Sequence, residues 1–129
     1  MKVTVQLNDA QWRVVREALD LYSRLLAGQV SMVDEVLRAH LEDVPEHESA
    51  RDALVQFKRV WFPAAPYNGN MGITHPALSE EARVAYEIAA SLERAAAWHQ
   101  KPEGGSGVNF REPLRVSEQA LPVVAVEDD

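Results

Sequence analysis

The chain opens on an alternation, with Val3, Val5 and Leu7 standing between Lys2, Thr4 and Gln6. A period of two sends successive side chains to opposite faces, so Lys2 to Leu7 is predicted as a short strand covered on one side. From Asp9 the period changes. Trp12, Val15, Leu19, Tyr22 and Leu26 recur at steps of three and four, and Val14, Ala18, Leu21 and Leu25 form a second stripe beside them. The spacing predicts a helix from Asp9 to Gln29 whose apolar face is wide enough to meet more than one neighbour, and the rest of the fold is expected to organise around it. Asn8 or Asp9 can cap its start, with Gln11 completing a capping box from Asn8, and Gly28 stops it. On the outer face Arg13–Glu17, Arg16–Asp20 and Asp20–Arg24 are opposite charges one turn apart, each adding roughly 0.2–0.5 kcal/mol.

The same periodicity predicts a second helix over Met32 to Glu42, capped by Ser31, with Val33, Val36, Leu37 and Leu41 inward. A third runs from Ser49 to Trp61, burying Leu54, Phe57, Val60 and Trp61, and Pro63 forbids its continuation. The stretch from Pro63 to Leu78, PAAPYNGNMGITHPAL, is a loop rich in Pro, Gly and Asn. Ser79 caps the longest helix, with Glu80 and Glu81 facing the positive end of its dipole. Its apolar set is Val84 or Ala85, Ile88, Ala89, Leu92, Ala95, Ala96 and Trp98, while Arg83, Glu87, Ser91 and Arg94 form a polar edge. Lys101 to Gly107 reads as a flexible link, the tail from Val108 as an extended strap between prolines, and Glu127-Asp128-Asp129 as a frayed end. Val123, Val124 and Val126, and more weakly Val108 to Phe110, are the runs that can pair with the first strand. The expected fold is therefore mainly α, four principal helices with a minor β-sheet from the termini and an extended C-terminal strap. Residues 1–129 are expected to form a single domain, with a helical core and N-terminal strand over 1–100 and the link and strap over 101–129.

Composition narrows the chemistry. The 129 residues contain no cysteine, which removes disulfides, thiolate nucleophiles and Cys-ligated zinc together, and is compatible with a reducing cytoplasm. No apolar run has the length of a signal peptide or of a membrane span, so the chain reads as soluble and not membrane-bound. Thirteen basic against twenty acidic residues give a charge of −7, which argues against general nucleic-acid binding because phosphates would be repelled over most of the surface. The charge is a solubility feature or, in a sharper reading, an acidic surface that mimics nucleic acid.

His40, His47, His75 and His99 are scattered without metal-ligand spacing, so no metal site is expected, and no Walker loop, dinucleotide glycine pattern or nucleophile elbow is present. No cofactor is implied. Two clusters survive. Tyr22-Ser23-Arg24 with Gly28-Gln29 offers a stacking ring, a fixed cation and an amide at a helix end, suited to a planar or phosphorylated ligand. A purely structural alternative makes Tyr22 core, pairs Arg24 with Asp20 and leaves Gln29 to satisfy the helix end. Tyr67-Asn68-Gly69-Asn70-Met71-Gly72-Ile73 can hold left-handed backbone conformations and offer amides to a ligand, or be a structural turn. Both clusters carry uncharged hydrogen-bonding groups instead of a nucleophile with its base, which favours recognition over catalysis. An enzymatic reading, hydrolysis by Glu87 or His99, lacks such a constellation, and the chain is read as a non-enzyme.

The succession LYSRLLAGQ (Leu21 to Gln29), YNGNMGI (Tyr67 to Ile73), ARVAYEI (Ala82 to Ile88) and PEGGSGVNFREPLRVSEQALP (Pro102 to Pro122) resembles a family of small uncharacterised accessory proteins encoded by tailed bacteriophages and prophages. The chain departs from that pattern at Asn109-Phe110-Arg111, where an acidic residue would follow the phenylalanine. The resemblance implies a virus-encoded protein of the host bacterial cytoplasm acting in counter-defence, a setting given by analogy. It would sequester a small cyclic-nucleotide immune signal without turnover. In that reading Arg24, Arg94 or Arg115 meets phosphate or ribose, Tyr22 or Tyr67 stacks, and Gln29, Asn68 and Asn70 read base edges, in a homo-oligomer. The alternative is an acidic inhibitor that masks a host defence protein or a nucleic-acid-binding site.

Overall fold

Asn8 and Gln11 start the first helix in the way their spacing predicts. The Gln11 N–H donates to Asn8 Oδ1 at 2.9 Å and the Asn8 N–H donates to Gln11 Oε1 at 3.0 Å, so two amides that a helix end leaves unpaired are satisfied reciprocally. The computed structural model describes residues 1–65 and 69–128. Among them lie four α-helices, α1 (Asp9–Leu26), α2 (Ser31–His40), α3 (His47–Trp61) and α4 (Glu80–Gln100), and a 3-10 turn at Val108–Phe110.

No strand occurs among the described residues, which corrects the expected terminal β-sheet. The alternation in Lys2 to Leu7 had called for a partner and a covered face. Val3, Val5 and Leu7 are instead exposed. The C-terminal candidate follows Pro122, which has no N–H for a ladder, and Val123 is 98% exposed; Val108–Phe110 closes into the 3-10 turn. A strand needs a second strand, and alternation in one segment does not supply it.

The chain divides into two compact units, one made of Met1–Asp20 with the chain from Val84 on, the other of Leu21–Arg83. In the first, Ala85 and Ala89 of α4 are buried, and Arg16 Nε stands 3.0 Å from Glu93 Oε1 without its N–H aligned for a hydrogen bond. In the second, Val30, Leu78 and Ala82 are buried and α2 contacts α3. The buried run Leu78, Ala82, Ala85, Ala89 advances by four, three and four, so alanines rather than Ile88 or Leu92 mark the innermost stripe.

Three facial assignments are corrected. On α1 the second stripe is covered only toward its end, since Val14 and Ala18 are exposed while Leu21 and Leu25 are half-buried; Arg13 pairs with Asp9 at 3.2 Å and stacks 5.7 Å from the Trp12 ring. On α2 Leu37 is exposed, and Leu41 lies beyond the helix and is exposed too. On α3 Phe57, Val60 and Trp61 are exposed, and the residue that goes inside is Lys58, 2% exposed. Within a helix of period 3.6 the stripes of Phe57 and Lys58 are about 100° apart, so the face that enters the core is turned by a little over a quarter turn from the expected one.

Candidate functional site

The first cluster follows from how α1 ends. Gly28 has φ +88°, a left-handed conformation, and a Cβ there would stand 3.3 Å from the Phe62 ring. The Gly28 N–H donates to the Leu25 carbonyl at 3.0 Å and the Gln29 N–H to the Arg24 carbonyl at 2.9 Å, the paired bonds of a Schellman ending. That ending brings residues 24 and 29 together, a place where two apolar side chains usually meet. Here Arg24 Nη1 donates to Gln29 Oε1 at 3.3 Å. Ser23, between the two candidate ligand residues, is buried and donates its hydroxyl to the Ala82 carbonyl at 2.8 Å. Tyr22 is exposed, not core.

The asparagine turn joins this corner. The Met71 N–H donates to the Ala27 carbonyl at 2.8 Å, one residue before Gly28, and the Lys58 ammonium donates to the Gly69 carbonyl. Asn70 lies between these two anchors with its side chain exposed. Tyr67 and Asn68, the other predicted contributors, lie outside the described residues. Burial lowers the pKa of Lys58, because its charged form has left water. Nothing in the sequence marks Lys58 apart from a position next to Phe57; its carbonyl partner arrives from a loop eleven residues on.

Arg94 and Arg115 belong to the other unit, beside α4. Ser91, Arg94 and Trp98, on one helical stripe, form one wall of a cleft of about 220 Å³ whose opposite side is Glu112, Pro113, Leu121, Pro122 and Val124. The indole is fixed, with Nε1 donating to the Phe110 carbonyl at 3.0 Å and the ring edge-on to Phe110, centroids 5.5 Å apart. Gly104, at φ +82°, lets the link pass this ring, where a Cβ would stand 2.9 Å from it. Within the link 101–107, Gly104 lies against Trp98 and Gly105 against Phe110. Ser91 is buried, and Arg94 Nε is buried without a hydrogen-bond partner among the described residues. An orphaned buried donor of this kind calls for an explanation, and a ligand acceptor is one.

Glu87 holds the C-terminal segment in place. It is 2% exposed, and its Oε1 accepts the N–H groups of Val116 at 2.6 Å and Ser117 at 2.9 Å while Oε2 accepts the Ser117 hydroxyl at 2.5 Å. Burial by itself would raise this carboxyl, but the three hydrogen bonds, with the Arg115 charge nearby, outweigh it and hold the pKa below the ordinary glutamate range. Glu87 belongs to the polar edge of α4, and the strap covers it there. Arg115 thus spends its field on Glu87, and Arg94 is the arginine that faces the cleft. The other enzymatic candidate, His99, stands 2.9 Å from Oδ1 of the exposed Asp128.

Among the described residues no three His, Asp or Glu side chains gather as metal ligands, and no helix is long and apolar enough to cross a membrane. No known family model, curated protein or solved structure matches this chain.

Proposed function

We propose that this protein binds a small anionic ligand with a planar group, of the nucleotide class, in the cleft beside α4, and retains it without turnover. The reading is carried by Arg94, which lines the same cleft as Trp98 and Ser91 and has a buried Nε without a partner among the described residues. A guanidinium gives charge-assisted bonds to phosphate or carboxylate oxygens, and an indole face stacks on a planar group. At about 220 Å³ the cleft is smaller than the ~300–1,000 Å³ of sites that engulf a drug-sized ligand, so it takes one group of the ligand and leaves the rest outside. The resemblance to tailed-phage accessory proteins supplies the setting, sequestration of a cyclic-nucleotide immune signal in the host cytoplasm. Tyr22, Arg24, Gln29 and Asn70 offer a second group of similar chemistry in the other unit. Isothermal titration with cyclic mono- and dinucleotides tests the reading: at least one binds, Arg94→Gln removes the heat, and silence across the whole panel ends the proposal.

The charge of −7 supports a second reading, an inhibitor whose acidic faces engage a basic host protein. A small molecule released on heating the purified protein favours the first reading, and a stoichiometric basic partner retained from host lysate favours the second.

A further inference from the structure

The cleft beside α4 carries both signs of charge. Arg94 and Glu112 both line it, and neither forms an ion pair, with the other or elsewhere, among the described residues. Two opposite charges that share a cleft without pairing are both left for a ligand. The chain also fixes where Glu112 stands. Two residues before it the Phe110 carbonyl accepts the Trp98 Nε1–H at 3.0 Å, and four residues after it the Val116 N–H donates to Glu87 Oε1 at 2.6 Å. Pro113 follows directly and disfavours a helical backbone at residue 112. The Glu112 side chain is exposed, and its carboxylate accepts no hydrogen bond among the described residues.

Given that the cleft takes a nucleotide, as proposed above, we infer that it selects guanine, with Glu112 as the residue that reads the base. An ionised carboxylate only accepts hydrogen bonds, through two oxygens side by side. It repels a phosphate, which leaves that group to Arg94. From the planar group it asks for two adjacent N–H donors. Guanine alone among the four common bases has them, N1–H next to the 2-amino group. Adenine and cytosine set an amino group beside a bare ring nitrogen, and uracil sets one N–H between two carbonyls. Each of these turns at least one lone pair against the carboxylate. The Trp98 indole stacks on any base and so makes no choice among them. Discrimination therefore falls to Glu112, and an exposed bidentate contact of this kind is expected to give about tenfold.

Isothermal titration of the full chain with cyclic GMP, cyclic IMP and cyclic AMP, and with cyclic di-GMP against cyclic di-AMP, reads the selectivity. The guanine form is expected to bind about tenfold or more tightly than the adenine form. Cyclic IMP, which keeps N1–H and lacks the 2-amino group, falls between them. Glu112→Gln keeps the length of the side chain and replaces one acceptor oxygen by a donor. It should bring the guanine affinity down to that of adenine and leave the adenine form bound no more weakly than before. Should that variant lose its helical circular dichroism, Glu112→Ala serves in its place. Equal affinity for the guanine and adenine forms overturns the selectivity and leaves nucleotide binding standing. A guanine preference that survives the loss of the carboxylate removes Glu112 as the reader. Silence for every nucleotide ends the selectivity and the nucleotide reading together.

Discussion

Ser117 is tied to Glu87 twice, by its backbone N–H and by its hydroxyl, across thirty residues of sequence. This carboxylate gives the strap what a neighbouring strand would have given, an acceptor for its amides. Replacing it with glutamine keeps the shape and removes the charge. Hydrogen bonds to a buried ion are worth about 1.5–3 kcal/mol, so Glu87→Gln should lower stability by roughly that amount and speed amide exchange at Val116 and Ser117. Unchanged exchange there would show that the strap is held elsewhere.

The same contact sets a pH dependence. Because the folded pKa of Glu87 lies below the ordinary value of 4.5, its contribution is fully present above that value. It is lost as pH falls through the folded pKa, where the unfolded chain no longer takes up extra protons. Denaturant unfolding of wild type and Glu87→Gln should therefore converge as the pH drops below 4.5. Parallel curves throughout would assign the acid sensitivity to other carboxylates.

Lys58 gives a dependence of the same sign in the alkaline range. Its pKa is lowered from 10.5, so between the folded value and 10.5 the unfolded chain binds more protons and stability rises with pH. Lys58→Met should abolish that alkaline rise. Near neutral pH the substitution is expected to be neutral or stabilising by about 1 kcal/mol, since it removes a buried ammonium and leaves the Gly69 carbonyl to find another donor. An alkaline rise that persists in the variant would locate its source in another group.

Gly28→Ala meets two obstacles, a φ of +88° and the Phe62 ring 3.3 Å from the new Cβ. The left-handed conformation alone costs an L-residue about 1–2 kcal/mol. Loss of at least that much in urea unfolding is expected, and with it the Arg24–Gln29 contact; a loss below half of it would mean that the corner rearranges freely.

Arg94→Met separates recognition from folding. Removing a buried donor that has no partner should leave stability unchanged or raise it by up to about 1 kcal/mol, while ligand binding is lost. A variant that binds the ligand normally would exclude Arg94 as the anchor, and one that unfolds would make the guanidinium structural.

What the amino-acid order determined by itself lies within a few residues of each decision. The capping box of Asn8 and Gln11, the stop at Gly28 and the cap of Ser79, whose hydroxyl accepts the Ala82 N–H at 3.3 Å, all join groups three to five positions apart. Their partners are adjacent whatever the rest of the chain does, so periodicity and capping chemistry suffice to read four helices. Which face of each helix enters the core was decided only by tertiary structure. Phe57 and Lys58 are neighbours in sequence and exchange places according to what arrives from residue 69, and Glu87 is a surface carboxylate until residues 116 and 117 reach it. The missing sheet belongs with these: pairing, like burial, depends on a distant segment, and no local pattern contains its position.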